Sequence, residues 1–230
     1  MAGAALPASF SAFAQDGKAM SVNAFYDSTS VVELFNTVPV GFTFVSADGS
    51  AASTRGFLHG RIPWTRLHIS SPQGVLQNGQ LTFDRQKVWK NSHSVTFYIK
   101  IKGNDTLTCH LVLPYVEHIR FNLYTDSLKR DNPFYLNVEG TFSSGRVYPL
   151  DTVMLAFSKS GGGTLQGNVL TVKKGDTAVH RVHVEAWLKY DPDMRIEVSV
   201  PVKITADPTT LPTEQQVLKD WKKSRREGKR

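Results

Sequence analysis

The chain has 230 residues, 40% of them hydrophobic, and a formal net charge of +7. That apolar content suffices for a core in a single all-β sandwich or barrel, while no run approaches the roughly 20 apolar residues of a membrane span. Cys109 is the only cysteine, which excludes an internal disulfide, fits a reducing compartment and argues against glycosylation at the sequon Asn104-Asp105-Thr106.

Residues 1–20 are small and partly apolar, without the basic start and unbroken apolar run of a secretory signal. They read as a flexible segment ahead of a β-sandwich domain over residues 21–206, on the cytosolic side. Ser28 to Leu34 opens on capping residues, and Ser30 followed by Glu33 as a capping box predicts a short N-terminal helix. Strands are expected at Val40–Val45, Gly56–Trp64 and Gln80–Phe83.

The alternation is clearest after residue 94. Val95, Phe97, Ile99 and Ile101 alternate with Thr96, Tyr98, Lys100 and Lys102, the period of a half-buried strand. Gly103-Asn104-Asp105 breaks the pattern, which resumes at Leu107, Cys109, Leu111 and Leu113; together they form a hairpin. Cys109 is then a small core hydrophobe rather than a nucleophile.

The same period recurs at Ile119, Phe121 and Leu123, and at Phe134, Leu136 and Val138 against Tyr135, Asn137 and Glu139. Further strands are expected at Tyr148–Phe157 and Val169–Val172. Gly161 to Gly167 lacks the Gly-Lys-Ser/Thr ending of a phosphate loop and reads as a flexible turn. Val182, Val184, Ala186 and Leu188 face Ile196, Val198, Val200, Val202 and Ile204 across the turn Asp191-Pro192-Asp193, a second hairpin. Pro201 donates to no ladder, which puts that strand at a sheet edge. About ten such runs with few helical patterns predict an all-β, antiparallel jelly-roll-type sandwich.

Residues 207–230 form a linker and a basic C-terminal helix or tail. Thr213 and Gln216 make a capping box, Val217, Leu218 and Trp221 an apolar stripe. Docking of the stripe on its own body is the default, with a sister subunit or a membrane surface as alternatives. Lys219, Lys222, Lys223, Arg225, Arg226, Lys229 and Arg230 give this end five of the chain's seven net positive charges, a handle for phosphate backbone. A second basic zone combines Arg85, Lys87 and Lys90, in the connection after one strand, with Lys100 and Lys102, outward on the next. Interleaved with Trp89 and Tyr98, these cations suit charge neutralisation with base stacking, the sequence-tolerant way of holding a single strand. Read blandly, both zones are solvated surface.

Catalytic constellations do not emerge. His180 and His183 stand three apart on a strand and so point to opposite faces, which rules them out as joint metal ligands. His59, His68, His93, His110 and His118 are scattered singly, and no Gly-x-Ser-x-Gly, Cys-x-x-Cys or His-Glu-x-x-His occurs. A non-enzymatic protein without metal or cofactor is expected.

Several short motifs in one order carry a resemblance. Val22-Asn23-Ala24-Phe25-Tyr26-Asp27 precedes the expected helix, and Gly79-Gln80-Leu81-Thr82-Phe83-Asp84-Arg85 is a Gly-led apolar strand ending in Asp. Leu111-Val112-Leu113-Pro114-Tyr115 follows about thirty residues on, then Gly145-Arg146-Val147-Tyr148-Pro149-Leu150 leading into Val153-Met154-Leu155-Ala156-Phe157. On these residues the chain resembles the thirty-kilodalton superfamily of plant virus movement proteins. It departs in a shorter stretch before Asp84 and in the added hairpin over 179–204.

The resemblance implies a jelly-roll core, a terminal helix with a basic tail, and Asp84 as the signature Asp, holding a strand end by hydrogen bonds. It also implies a viral protein that binds single-stranded RNA or DNA, self-associates, and escorts nucleic acid through plasmodesmata, with host membrane or plasmodesmal proteins as further partners. Its place would be the host cytoplasm, plasmodesmata and cell periphery. The alternatives are a jelly-roll coat subunit packaging genomic RNA in the virion and a matrix or adaptor protein whose tail lies on anionic membrane.

Overall fold

A computed structural model describes residues 19–101, 105–203 and Leu218. Strands β1 (Ala19–Tyr26), β2 (Thr37–Ser46) and β3 (Ala51–Ser53) are followed by a 3₁₀ turn at Trp64–Arg66. Next come β4 (Leu67–Ser70), β5 (Gly74–Gln77), β6 (Gln80–Phe83), the helix α1 (Arg85–Lys90), β7 (Ser94–Ile101) and β8 (Leu107–Val112). The chain continues through β9 (Val116–Phe121), β10 (Phe134–Tyr135), β11 (Val138–Phe142), β12 (Val147–Leu150), β13 (Leu155–Ser160), β14 (Thr164–Gln166) and β15 (Val169–Thr171). It closes on β16 (Arg181–Leu188) and β17 (Asp191–Pro201). The all-β class expected from the alternation is the one observed.

These residues divide into two compact units. One takes the chain up to Ile119 with Glu139–Leu150 and Leu188–Met194; the other takes Arg120–Val138, Asp151–Trp187 and the chain from Arg195 on.

In the first unit an antiparallel sheet in the order β1-β2-β6-β5, with β3 beside β2, faces the antiparallel sheet β4-β7-β8. Three of the strands contribute every second residue to the shared core: Val38, Val40, Phe42 and Phe44 from β2, Leu81 and Phe83 from β6, Val95, Phe97 and Ile99 from β7. Phe42 meets Phe97 edge to face at 5.1 Å, tying layer to layer. Each such side chain contributes about 1.5–3 kcal/mol by leaving water. β5 turns into β6 through Asn78 (φ 50°) and Gly79 (φ 86°), the two left-handed residues of a type I′ hairpin. A side chain at Gly79 would also meet the Trp64 ring at 2.8 Å.

The second unit holds the sheet β10-β15-β14 and, of the sheet β13-β16-β17, the residues up to Trp187 and from Arg195 on. Val182, Val184, Val200 and Val202 share a core with Phe134, Leu136, Leu170 and Val172. β17 lies at a sheet edge, where Pro201 was expected to put it. Along the apolar rows of the two expected hairpins, Ile101, Leu107, Ile196 and Val198 are half-buried, Ile204 lies outside the described residues, and the others are buried.

Four expectations need correction. Ser28 to Leu34 forms two successive turns instead of a helix, with Ser30 N–H bonded to Asp27 O and Leu34 and Phe35 N–H to Val31 O. Glu33 does not cap Ser30, because its carboxylate is buried and accepts from Ser144 Oγ at 2.7 Å and Arg146 Nη1 at 3.4 Å. Gly56–Trp64 is a loop: Gly56 and His59 sit at positive φ, which no strand accommodates. The stretch Tyr148–Phe157 is interrupted where Asp151 Oδ1 accepts from Val153 and Met154 N–H. The hairpin turn joining β16 to β17 is Lys189-Tyr190, while Asp191, Pro192 and Asp193 already belong to β17.

Asp84 ends β6 and caps α1: its Oδ1 accepts from Gln86 N–H at 2.9 Å and Lys87 N–H at 3.3 Å. The expectation was a carboxylate holding a strand end; its bonds go instead to the first turn of α1, and its side chain is exposed. Asp84→Ala should lower stability by about 0.5–2 kcal/mol, the loss of an N-cap, with Asp84→Ser retaining most of it. Thermal unfolding of the three proteins measures this.

Cys109 is buried in β8, and burial pushes its thiol up from 9.0 to about 11. Because the folded value exceeds the unfolded one, this stabilising contribution is complete below pH 9 and lost as pH rises toward 11. The melting temperature should therefore fall over that window, and fall less in Cys109→Ala. A thiol reagent at neutral pH should label Cys109 only on unfolding.

Candidate nucleic-acid interface

β7 is hydrogen-bonded on both sides, and its register fixes which residues share its outer face. His68 of β4 stands opposite Lys100, Ser70 opposite Tyr98, and Thr108 of β8 opposite Tyr98 from the other side. All five are exposed, Tyr98 by 43% of its surface. An aromatic ring thus lies next to a cation and is ringed by small hydroxyl residues, open to solvent.

Toward the start of β7 the same face is covered. Asn91, the C-cap of α1, donates from Nδ2 to Ser94 O at 2.8 Å and to Thr96 Oγ1 at 3.2 Å. Gln73 Oε1 accepts from Thr96 N–H at 3.0 Å, and Thr96 Oγ1 lies 3.1 Å from His110 Nδ1. These bonds fasten the end of α1 over Thr96, about 14 Å along the strand from Lys100 at ~3.4 Å per residue. Lys87 and Lys90, three apart on α1 and hence neighbours on the helix surface, are both exposed. Beside them lies an open cleft of about 430 Å³ lined by Ser71, Gln73, Gly74, Thr82, Asp84 and Lys87, among others.

Of the basic zone expected from sequence, Lys87, Lys90 and Lys100 are therefore exposed cations, the first two on α1 and the third on the outer face of β7. Arg85 has another task. Its Nη2 donates to Val32 O at 2.9 Å and Phe35 O at 3.1 Å, and its guanidinium lies 5.5 Å from the centre of the Phe83 ring, so it holds the turns before β2. Trp89 is half-buried and lines a cleft of about 20 Å³ with His93, Tyr115 and Tyr190. There His93 stacks on Tyr115 at 3.8 Å. Burial pushes the Tyr190 hydroxyl up to about 12, and burial likewise holds His93 below its usual value. Lys102, Lys219, Lys222, Lys223, Arg225, Arg226, Lys229 and Arg230 lie outside the described residues.

His68, Ser70 and Thr108 are the members of the face that the sequence left unassigned. Only the pairing of β4 and β8 with β7 brings them to Tyr98 and Lys100. Among the described residues no group of three or more His, Cys, Asp or Glu side chains is placed to hold a metal, and no helix is long and apolar enough to cross a membrane.

No family model matches the chain, and no curated protein matches it. Similar solved structures include the surface layer protein SbsC, domains 4–9, at 16% identity over 82% of this chain and 31% of that one, with a TM-score of 0.31. SbsC domains 4 and 5 follow at 15% identity over 80% and 98%, TM-score 0.26. The Escherichia coli adhesin FdeC is similar at 12% identity over 80% and 64%, TM-score 0.26. The chain spans about a third of the length of the first of these, and TM-scores of this size fall short of a shared fold.

Proposed function

We propose that this is a non-enzymatic viral protein of the movement type, which holds single-stranded nucleic acid without sequence preference on the outer face of β4-β7-β8. The observation that carries the binding part is the pairing of Tyr98 with Lys100 on an exposed, register-fixed face, next to His68 and Thr108. A ring open on one side offers a platform for a base, worth about 1–3 kcal/mol per stacked base, and the ammonium two positions on neutralises the adjoining phosphate. Lys87 and Lys90 extend the positive charge along α1. The basic residues Lys219 to Arg230 add a longer-range electrostatic contribution. Transport through plasmodesmata, and a place in the host cytoplasm and at the cell periphery, rest on the resemblance of the sequence to the thirty-kilodalton superfamily.

Titration of labelled single-stranded RNA at several salt concentrations tests the binding. Tyr98→Ala should weaken it by roughly 5- to 150-fold with the salt slope unchanged, since stacking carries no counterions. Lys100→Ala should flatten the log-log slope by about 0.7. Removal of residues 219–230 should flatten it by about three if four of the seven cations touch phosphate. Curves superimposable on the parent for Tyr98→Ala and Lys100→Ala would remove the face from the account. Electron microscopy with RNA separates the roles: beaded or filamentous complexes are expected, and closed uniform shells would make the protein a coat subunit instead.

A further inference from the structure

β17 is an eleven-residue strand at the edge of the β13-β16-β17 sheet. Apart from Leu128, which bridges Val202 just past its end, no described strand pairs with its far side. A long open edge is a template for another strand. Its prolines stand at positions 192 and 201, so between them no N–H is missing from the alternate residues that face outward, away from β16, toward such a partner. The apolar row of this strand is also incompletely covered. Met194, Ile196 and Val198 remain half-buried, while Val184, Ala186 and Leu188 of the neighbouring strand are buried.

We infer that β17 is a self-association edge, on which a second copy of this chain adds its own β17 antiparallel about a two-fold axis through Ile196. The sequence of the edge is self-complementary in that register. Arg195 falls opposite Glu197 of the second copy, and by symmetry the ion pair occurs twice. Ile196 meets Ile196, and Met194 meets Val198, extending both inner apolar rows.

Neighbouring two-fold registers are unfavourable. An axis through Arg195 sets Arg195 against itself and Glu197 against Asp193; an axis through Glu197 sets that carboxylate against itself. Arg195 already lies 3.4 Å from Glu185 within its own sheet, so on pairing its guanidinium stands between two carboxylates. The inference is independent of nucleic-acid binding.

Cysteine cross-linking reads the register directly. In an antiparallel pair, residues facing each other have Cα atoms about 4.5–5.5 Å apart, within the span of a disulfide. Ile196→Cys on the axis should therefore form a disulfide-linked dimer under mild oxidation. Val198→Cys should not, because its two copies lie about 14 Å apart along the strands, four residues at ~3.4 Å each. The native Cys109 is buried and gives no background. Equal cross-linking of both variants, or of neither, would overturn the proposal.

Sedimentation of charge variants gives a second reading that does not depend on oxidation. Glu197→Arg and Arg195→Glu should each be monomeric alone and should form a heterodimer when mixed. A mixture that stays monomeric, or a Glu197→Arg protein that self-associates like the parent, would contradict it. Melting curves of each variant confirm that it folds.

Discussion

The two-residue period of β7 is the constraint on which most of the first unit rests. Val95, Phe97 and Ile99 are fully buried, with Phe97 against Phe42 of the opposite layer. Because β7 is paired along both sides, a slip of one residue would carry Tyr98 and Lys100 into that core and Phe97 into water. Burial of an unpaired ammonium costs several kcal/mol even after relaxation. The core thus locks the outer face: the same alternation that fills one side presents Tyr98 and Lys100 on the other.

Charge is divided between holding the fold and meeting solvent. Arg85 and Arg146 both reach back to the turns between β1 and β2, Arg85 through the carbonyls of Val32 and Phe35 and Arg146 through Ser28 O and Glu33. Glu33 is 1% exposed and is bonded by Ser144 and Arg146, residues more than a hundred positions away. Removal of its cationic partner would leave a buried carboxylate, the costly way to lose an ion pair. Its charge also helps burial to raise the Tyr26 hydroxyl above its ordinary value, against the opposing pull of Arg146. The lysines of α1 and β7 make no comparable commitment, which suits a loose, exchangeable phosphate contact.

What was legible in the sequence is what depends on local period. The β7–β8 hairpin, Cys109 as a core residue, the outward direction of Lys100 and the edge position of β17 all follow from alternation or from proline chemistry. Ser28 to Leu34 misled because the local capping signal of Ser30 and Glu33 is real but weak, and a distant arginine and serine compete for the same carboxylate. Nothing in the composition of the loop after β3 announces a left-handed His59, so its residues carry a strand signal that the backbone does not follow. Asn78-Gly79, by contrast, carries a hairpin signal in its own two residues. For the candidate site, Tyr98 and Lys100 were visible as a pair. His68 and Thr108 were not, since cross-strand neighbours come only with the register.

The central claim, that the outer face of β4-β7-β8 is where a single strand lies, is tested most directly by residue-resolved amide shifts during titration with a short single-stranded oligonucleotide. The account predicts that, within the strands, shifts concentrate at His68, Tyr98, Lys100 and Thr108 and extend to Lys87 and Lys90. Shifts confined to residues 204–230, or clustered instead on β16 and β17, would contradict it.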